Sequence, residues 1–147
     1  MFLVILCSVL LIGLTALIHY EVLSALNHRL PALEMPSRSK LLVVIFTTFV
    51  AHAIEIVVYA VALYLLAGIA GVGHLKGEPD FSFLNVIYFS AETYTSLGFG
   101  DVTPVGALRL LVGIEALNGL LLIGWSASYA YIAMERYWVP KHANRGS

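Results

Sequence analysis

The stretch that decides this chain is Tyr94-Thr95-Ser96-Leu97-Gly98-Phe99-Gly100-Asp101. Two glycines alternate with larger residues, so the backbone can hold an extended shape with its carbonyls turned to one side. A short apolar segment, residues 83–95, leads into it, and long apolar stretches lie on either side at residues 41–70 and 105–134. Another apolar stretch, residues 2–26, begins the chain. A spanning helix needs ~20 mostly apolar residues, and all three long stretches qualify. Residues 83–95 are too short to span and read as a re-entrant helix. Non-helical backbone at membrane depth is tolerated only where protein encloses it or where it lines a water-filled path. The Gly98-Phe99-Gly100 run must therefore be enclosed by other subunits.

The composition agrees. Of 147 residues, 60% are hydrophobic and 12% charged, with mean hydropathy +0.89. A soluble domain carries about 25% charged residues, so this is an integral membrane protein with no room for a second domain. The net charge of −1 gives no sign of nucleic-acid binding. Cys7 is alone and excludes an intrachain disulfide. The first apolar stretch lacks a basic leader and a convincing small-residue cleavage site before His19, so it reads as a retained helix. Cys7 lies too near the start for a lipoprotein cleavage site.

Basic residues set the expected orientation. Arg29, Arg38 and Lys40 lie in the loop after the first span, and Arg136, Lys141 and Arg145 follow the third. Only Lys76 and Arg109 fall on the other side. The positive-inside bias puts the first loop and the C-terminus in the cytoplasm and Met1 outside. The expected location is the plasma or inner membrane, crossed several times.

Pro31 and Pro36 end any helix continuing from the first span. The second span starts near Lys40 and stops at Gly68, Gly71 and Gly73. Residues 71–82, with His74, Glu78, Pro79 and Asp80, read as a short polar outer loop. Pro104 is expected to start the third span, where its missing N–H costs nothing. There is no internal repeat, hence one re-entrant loop per chain.

From about residue 40 to 135 the chain resembles the two-helix pore module of the potassium-channel superfamily, and the bacterial proton-gated type in particular. The Ser96–Asp101 run is similar to that superfamily's selectivity filter, usually Thr-Val-Gly-Tyr-Gly-Asp. Rings of such carbonyls can replace the water shell of a potassium ion. The resemblance implies an all-α membrane protein with an outer helix (40–70), a pore helix (83–95), a filter (96–101) and an inner helix (105–136). Residues 1–39, a helix and cytoplasmic loop, have no counterpart there, and 140–147 form a short tail. Tyr88 and Phe89 fall on pore-helix aromatics that cuff the filter. Glu92 falls on a pore-helix glutamate, Asp101 on the aspartate that closes the filter, Arg109 on a basic residue at the top of the inner helix, and Gly119 on the inner-helix hinge.

Ion ligands are then expected from Ser96, Leu97, Gly98, Phe99 and Gly100, with K+ as the permeant ion and no other cofactor. Ser96 replaces threonine but keeps the hydroxyl for the innermost ion site. Leu97 replaces valine and changes packing behind the filter. Phe99 replaces tyrosine and loses a hydroxyl that could tie the filter to its cuff. One loop makes a quarter of a filter, so four chains must surround one axis, embedded in lipid. No arginine ladder is present, so no voltage sensor is evident. The expected function is a potassium-selective channel rather than an enzyme, gated at the filter, at the inner helix or at both; a weakly selective cation channel is the nearer alternative.

Two groups bear on gating. The resemblance puts Glu92 and Asp101 side by side behind the filter, where two carboxylates in a dry site share a proton. From Gly119, a stripe of Leu120, Ile123, Ala127 and Tyr131 is apolar and, by resemblance, lines the conduction path. Glu115 and Asn118 share a face at i, i+3 and are expected to bond a neighbouring helix. Trp125, Tyr137 and Trp138 fit packing and an interfacial belt.

His52 and Glu55 share a helix face mid-span. At ~1.5 Å per residue, His52 lies ~18 Å beyond Lys40 and His19 ~18 Å before Pro31, so an antiparallel hairpin puts both histidines at similar depth. Such a group could bind zinc, sense protons, or be a satisfied hydrogen-bond set pinning the second span to its neighbours, which is the favoured reading. A remote alternative builds an intramembrane metal-dependent enzyme or transporter on His19, His52 and Glu55. Glu21 is out of phase with His19, towards the cytoplasmic interface. The first span is expected to pack outside the second.

Overall fold

The computed structural model describes residues 1–69, 71–77 and 82–138, and of Trp138 the backbone alone. The expected tail, residues 140–147, lies outside the described residues, as do Glu78, Pro79 and Asp80 of the outer loop. In chain order the elements are α1 (Phe2–Arg29), α2 (Ser37–Ala67), β1 (Gly73–Lys76), α3 (Phe83–Tyr94), β2 (Thr103–Gly106) and α4 (Leu108–Trp138). The chain is thus mostly helical. Helices α1, α2 and α4 are each long and apolar enough to cross a membrane.

The two prolines act as expected. Pro31 sits in a single 3-10 turn, Leu30–Ala32, and Pro36 immediately precedes α2. The Lys40 ammonium donates to the Pro31 carbonyl at 3.1 Å, closing this turn. Lys40 and Arg136 both lie over the Tyr137 ring, 5.3 and 5.7 Å from its centroid. The α1–α2 connection and the end of α4 therefore meet at one end of the bundle.

The opposite end departs from expectation. Pro104 does not open the inner helix; it lies in β2, opposite Leu75 in an antiparallel ribbon with β1. A two-stranded ribbon has only edges, where a proline without an N–H is tolerated. Glycines let its strands close. A side chain on Gly73 would meet the Val105 carbonyl oxygen at 2.0 Å, and one on Gly77 the Asp101 carbonyl oxygen at 1.9 Å. Part of the expected outer loop is thus a strand that fastens the exit of the filter segment.

Helix α3 starts at Ser82, whose hydroxyl accepts from the Asn85 N–H at 3.2 Å; a cap of this kind contributes about 1 kcal/mol. Its Val86, Phe89 and Tyr94 are buried with Tyr59, Leu63, Leu108 and Leu111 of α2 and α4. Helix α1 does not simply pack outside α2: it contacts both α2 and α4. Its inward face carries Ser8, Thr15 and His19 with Val4, Leu11 and Leu23. Ser8 and Thr15 donate to the carbonyls of Val4 and Leu11, one turn earlier, at 2.8 Å, while Thr15 also accepts from Asn118 at 2.8 Å. In lipid there is little apolar drive between helices, so such polar contacts and close packing carry the docking.

Candidate functional site

The segment after α3 has an alternating backbone. Ser96, Gly98 and Gly100 have φ of 56°, 54° and 82°, while Leu97 and Phe99 between them do not. Left-handed φ is expected of glycine but not of serine; at Ser96 it costs about 1–2 kcal/mol. Strain of this size persists where the surroundings over-determine it, and such places cluster at functional sites. The N–H groups point back into the protein: Leu97 and Gly98 both donate to the Glu92 carbonyl, at 2.9 and 3.4 Å, and Ser96 donates to Thr93 at 2.9 Å. Among the described residues no N–H donates to a carbonyl of residues 96–100. Those five residues are all exposed on the single chain, Leu97 at 62% and Phe99 at 67%.

The cuff differs in detail from expectation. Tyr88 and Phe99 stack with centroids 6.5 Å apart and planes 5° from parallel. The Tyr88 hydroxyl donates to Asp101 Oδ2 at 3.0 Å, and Asp101 Oδ1 accepts from the Val102 N–H at 2.9 Å. Phe99, lacking a hydroxyl, is held by its ring. Among the described residues no hydrogen bond joins the Glu92 and Asp101 carboxyls, and Asp101 is held by Tyr88. Glu92 is buried with Oε1 unpartnered. Glu92 first, then desolvation and Asp101, push the Tyr88 phenol above its usual value, so it remains a donor at ordinary pH.

Gly119 is not at a break, since α4 runs unbroken from Leu108 to Trp138. It is a notch. A Cβ there would lie 2.1 Å from the Tyr94 carbonyl oxygen. The hinge expectation is thus joined by a packing reason for the same glycine. Of the stripe below, Leu120, Ala127 and Tyr131 are exposed on the single chain, while Ile123 is half-buried against the core. The Tyr131 hydroxyl donates to Glu135 at 3.0 Å. Arg109 is exposed in the first turn of α4.

Asn118 bonds neighbouring helices as expected, donating to Thr15 of α1 and to the Tyr59 hydroxyl of α2 at 3.1 Å. Glu115 meets α3, with the Ser90 hydroxyl between its carboxyl and the Ile56 carbonyl.

The histidines come together with partners the sequence did not announce. His19 Nδ1 lies 2.9 Å from Glu55 Oε1, and His52 Nδ1 lies 3.1 Å from Glu55 Oε2. The Tyr94 hydroxyl donates to Glu55 Oε2 and lies 2.9 Å from His52 Nδ1. Ser126 Oγ stands between the two Nε2 atoms, 3.0 Å from His52 and 3.1 Å from His19. The imidazole centroids are 5.1 Å apart, with Trp125 5.4 Å from His19. One atom from each of His19, His52 and Glu55 lies within 4.8 Å of the others, a spacing a metal ion could use. Yet all four ring nitrogens already have protein partners, so the hydrogen-bond reading fits this geometry better than a metal site. Tyr94 and Ser126 could have been suspected as polar groups near the depth of His52.

Comparison with known proteins agrees with this architecture. The profile of a family described as ion channel matches residues 41–136. The chain is 31% identical over 97 residues to the inward rectifier potassium channel Kirbac3.1 of Paramagnetospirillum magnetotacticum, covering 65% of this chain and 33% of that protein. The chain thus spans about a third of the length of that relative. No solved structure matches. The chain belongs to the ion channel family, as a pore module of the potassium-channel superfamily preceded by an additional N-terminal helix.

Proposed function

We propose that four copies of this chain surround one axis and conduct potassium passively through a filter built from residues 96–100. The observation that carries the reading is the alternation of φ at Ser96, Gly98 and Gly100, with N–H groups turned inward and carbonyls left without protein donors. Exposed carbonyls at membrane depth need a hydrated path or an ion in place of lost water. The C-terminal end of α3, just before them, adds about half a negative charge, which favours a cation. The potassium channel named above is similar over this region, which supports the choice of ion.

The unpaired apolar faces fit a membrane assembly. Leu117, Leu120 and Leu121 of α4 are about 60% exposed on the single chain, surface that lipid or neighbouring subunits would cover. The basic cluster at the α1–α2 connection and Arg136 supports a cytoplasmic C-terminus and an external Met1. Gating is assigned to the filter, through Tyr88, Glu92 and Asp101, and to the exposed stripe of α4.

Reversal potential in a planar bilayer with potassium and sodium on opposite sides tests the reading. A reversal near the potassium equilibrium potential supports it. A reversal near zero gives the weakly selective cation pore instead, and absence of current from a reconstituted tetramer overturns both.

A further inference from the structure

Making every contact of the cluster beneath residues 96–100 a hydrogen bond takes one proton more than its residue types supply. It draws on four elements: His19 from α1, His52 and Glu55 from α2, Tyr94 from the end of α3, and Ser126 from α4. Six contacts close it. Glu55 as a carboxylate only accepts, so both Nδ1 atoms facing it must carry protons. Two neutral imidazoles protonated there leave two bare Nε2 atoms, and both face Ser126 Oγ. A hydroxyl donates one proton. It can satisfy one Nε2 and can only accept from the other. The second Nε2 must therefore carry a proton of its own, which makes that ring doubly protonated. With this extra proton all six contacts are made, and the cluster has no net charge. Without it, two lone pairs face each other at about 3 Å and a net negative charge is buried, which costs several kcal/mol at membrane depth.

We propose that His19, His52, Glu55, Tyr94 and Ser126 form a one-proton binding site that clamps the base of the filter when occupied. The coupling is short. Tyr94 is two residues from Ser96, the strained serine that begins the filter, and its own carbonyl sits in the Gly119 notch. Its hydroxyl is the only part of α3 in the cluster. Proton loss breaks a contact at Ser126 and frees Glu55 and His52 to rearrange, so Tyr94 loses its fixed partners.

His19 and Glu55 are fully buried, while the His52 side chain is 18% exposed and is the route for the proton. The other titratable groups facing Tyr94 are Tyr59 of α2 and Glu115 of α4. No lysine or arginine among the described residues pairs with Glu55. This site is separate from Glu92 and Asp101, on the other side of α3's last turn.

The coupling rests on the filter reading above, but proton binding does not, so the two are measured separately. Nitrogen-15 NMR of histidine-labelled protein in nanodiscs, with the other three histidines, His28, His74 and His142, replaced by glutamine, reads the protonation of the two cluster rings directly. One doubly protonated ring is expected in the folded protein at mildly acidic pH, converting to two neutral rings on alkalinisation. Two neutral rings throughout, in a folded protein, overturn the site. In single-channel recording across about pH 5 to 8, open probability should fall with rising pH by about fivefold or more, the low end of ordinary coupling between sites. His52→Gln can complete its bonds with His19 neutral, so its open probability should lose that slope. Tyr94→Phe should keep the NMR transition and lose the gating slope, because it cuts the link and leaves the imidazoles. A parental slope in both variants overturns the coupling. Stoichiometric zinc on purified wild-type protein, absent from His52→Gln, replaces the proton site with a metal site. If the channel does not conduct at all but the NMR transition is present, the filter reading fails and the proton site stands.

Discussion

Gly119→Ala should destabilise the protein although it places a better helix former in a helix. Two effects oppose one another. Replacing glycine by alanine in a helix interior favours folding by about 1 kcal/mol. The new Cβ, however, would sit 2.1 Å from the Tyr94 carbonyl oxygen and 2.9 Å from its carbonyl carbon and Cγ, where ordinary contact begins at 3.4 Å. The helices must part by roughly 1.3 Å, or the end of α3 must shift. Tyr94 cannot yield freely, because its ring is buried and its hydroxyl is bonded to Glu55. Overpacking against backbone costs about 1–3 kcal/mol, and the fixed neighbour argues for the upper end. The net expectation is a loss of about 1–2 kcal/mol. Thermal unfolding of the purified protein in detergent, followed by tryptophan fluorescence, should show a midpoint several degrees lower. Gly124→Ala, with nothing within 4 Å in its own chain, is the control and should be neutral or slightly stabilising. A glycine that serves only as a hinge predicts the opposite sign at 119, so a Gly119→Ala variant as stable as the parent would refute the notch.

Three further outcomes are expected. Ser96→Ala removes the hydroxyl of the innermost ion site; a lost hydrogen-bond-strength ligand to a charge is worth about 1.5–3 kcal/mol, so barium block should weaken by about tenfold or more, and unchanged block would remove Ser96 from the ion's shell. Tyr88→Phe deletes the donor to Asp101 while keeping the stack on Phe99, and should speed inactivation about fivefold for a bond of about 1 kcal/mol, with selectivity kept; a matching change in Glu92→Ala would tie the two carboxyls to one restraint, and no change in either would exclude gating through this cuff. A protease-cleavable tag on Met1 should be cut in right-side-out vesicles and protected in inverted ones, and the reverse pattern would invert the topology.

Hydrophobic run length made the three spans legible, because the bilayer sets one dominant scale. The alternating backbone of residues 96–100 was legible because its glycines dictate local conformation rather than distant contacts. The outer ribbon was not. Pro104 matched a helix start equally well, and only the pairing of Leu75 with Pro104, closed by Gly73 and Gly77, decides against it. His19 and His52 could be brought to one depth by counting rise. Nothing local could bring Tyr94 to Glu55 or Ser126 between two rings, since those contacts depend on how four helices are rotated. Gly119 was noticed for freedom of the backbone, whereas its surroundings use its lack of a side chain.

The reach of the polar cluster along the chain has a consequence for biosynthesis. Its members run from residue 19 to residue 126, and Asn118 joins the same region to Thr15. A ribosome delivers α1 to the bilayer long before α4 exists. Until then His19 and His52 lack Ser126, and Thr15 lacks Asn118. Polar groups left unpaired in hydrocarbon are the sort of defect that marks an incomplete membrane protein. The cluster thus reports that α4 has been delivered and has docked on α1 and α2. Truncation after residue 110 should leave a product that membrane proteases clear quickly, and pulse-chase decay as slow as that of the whole chain would contradict this.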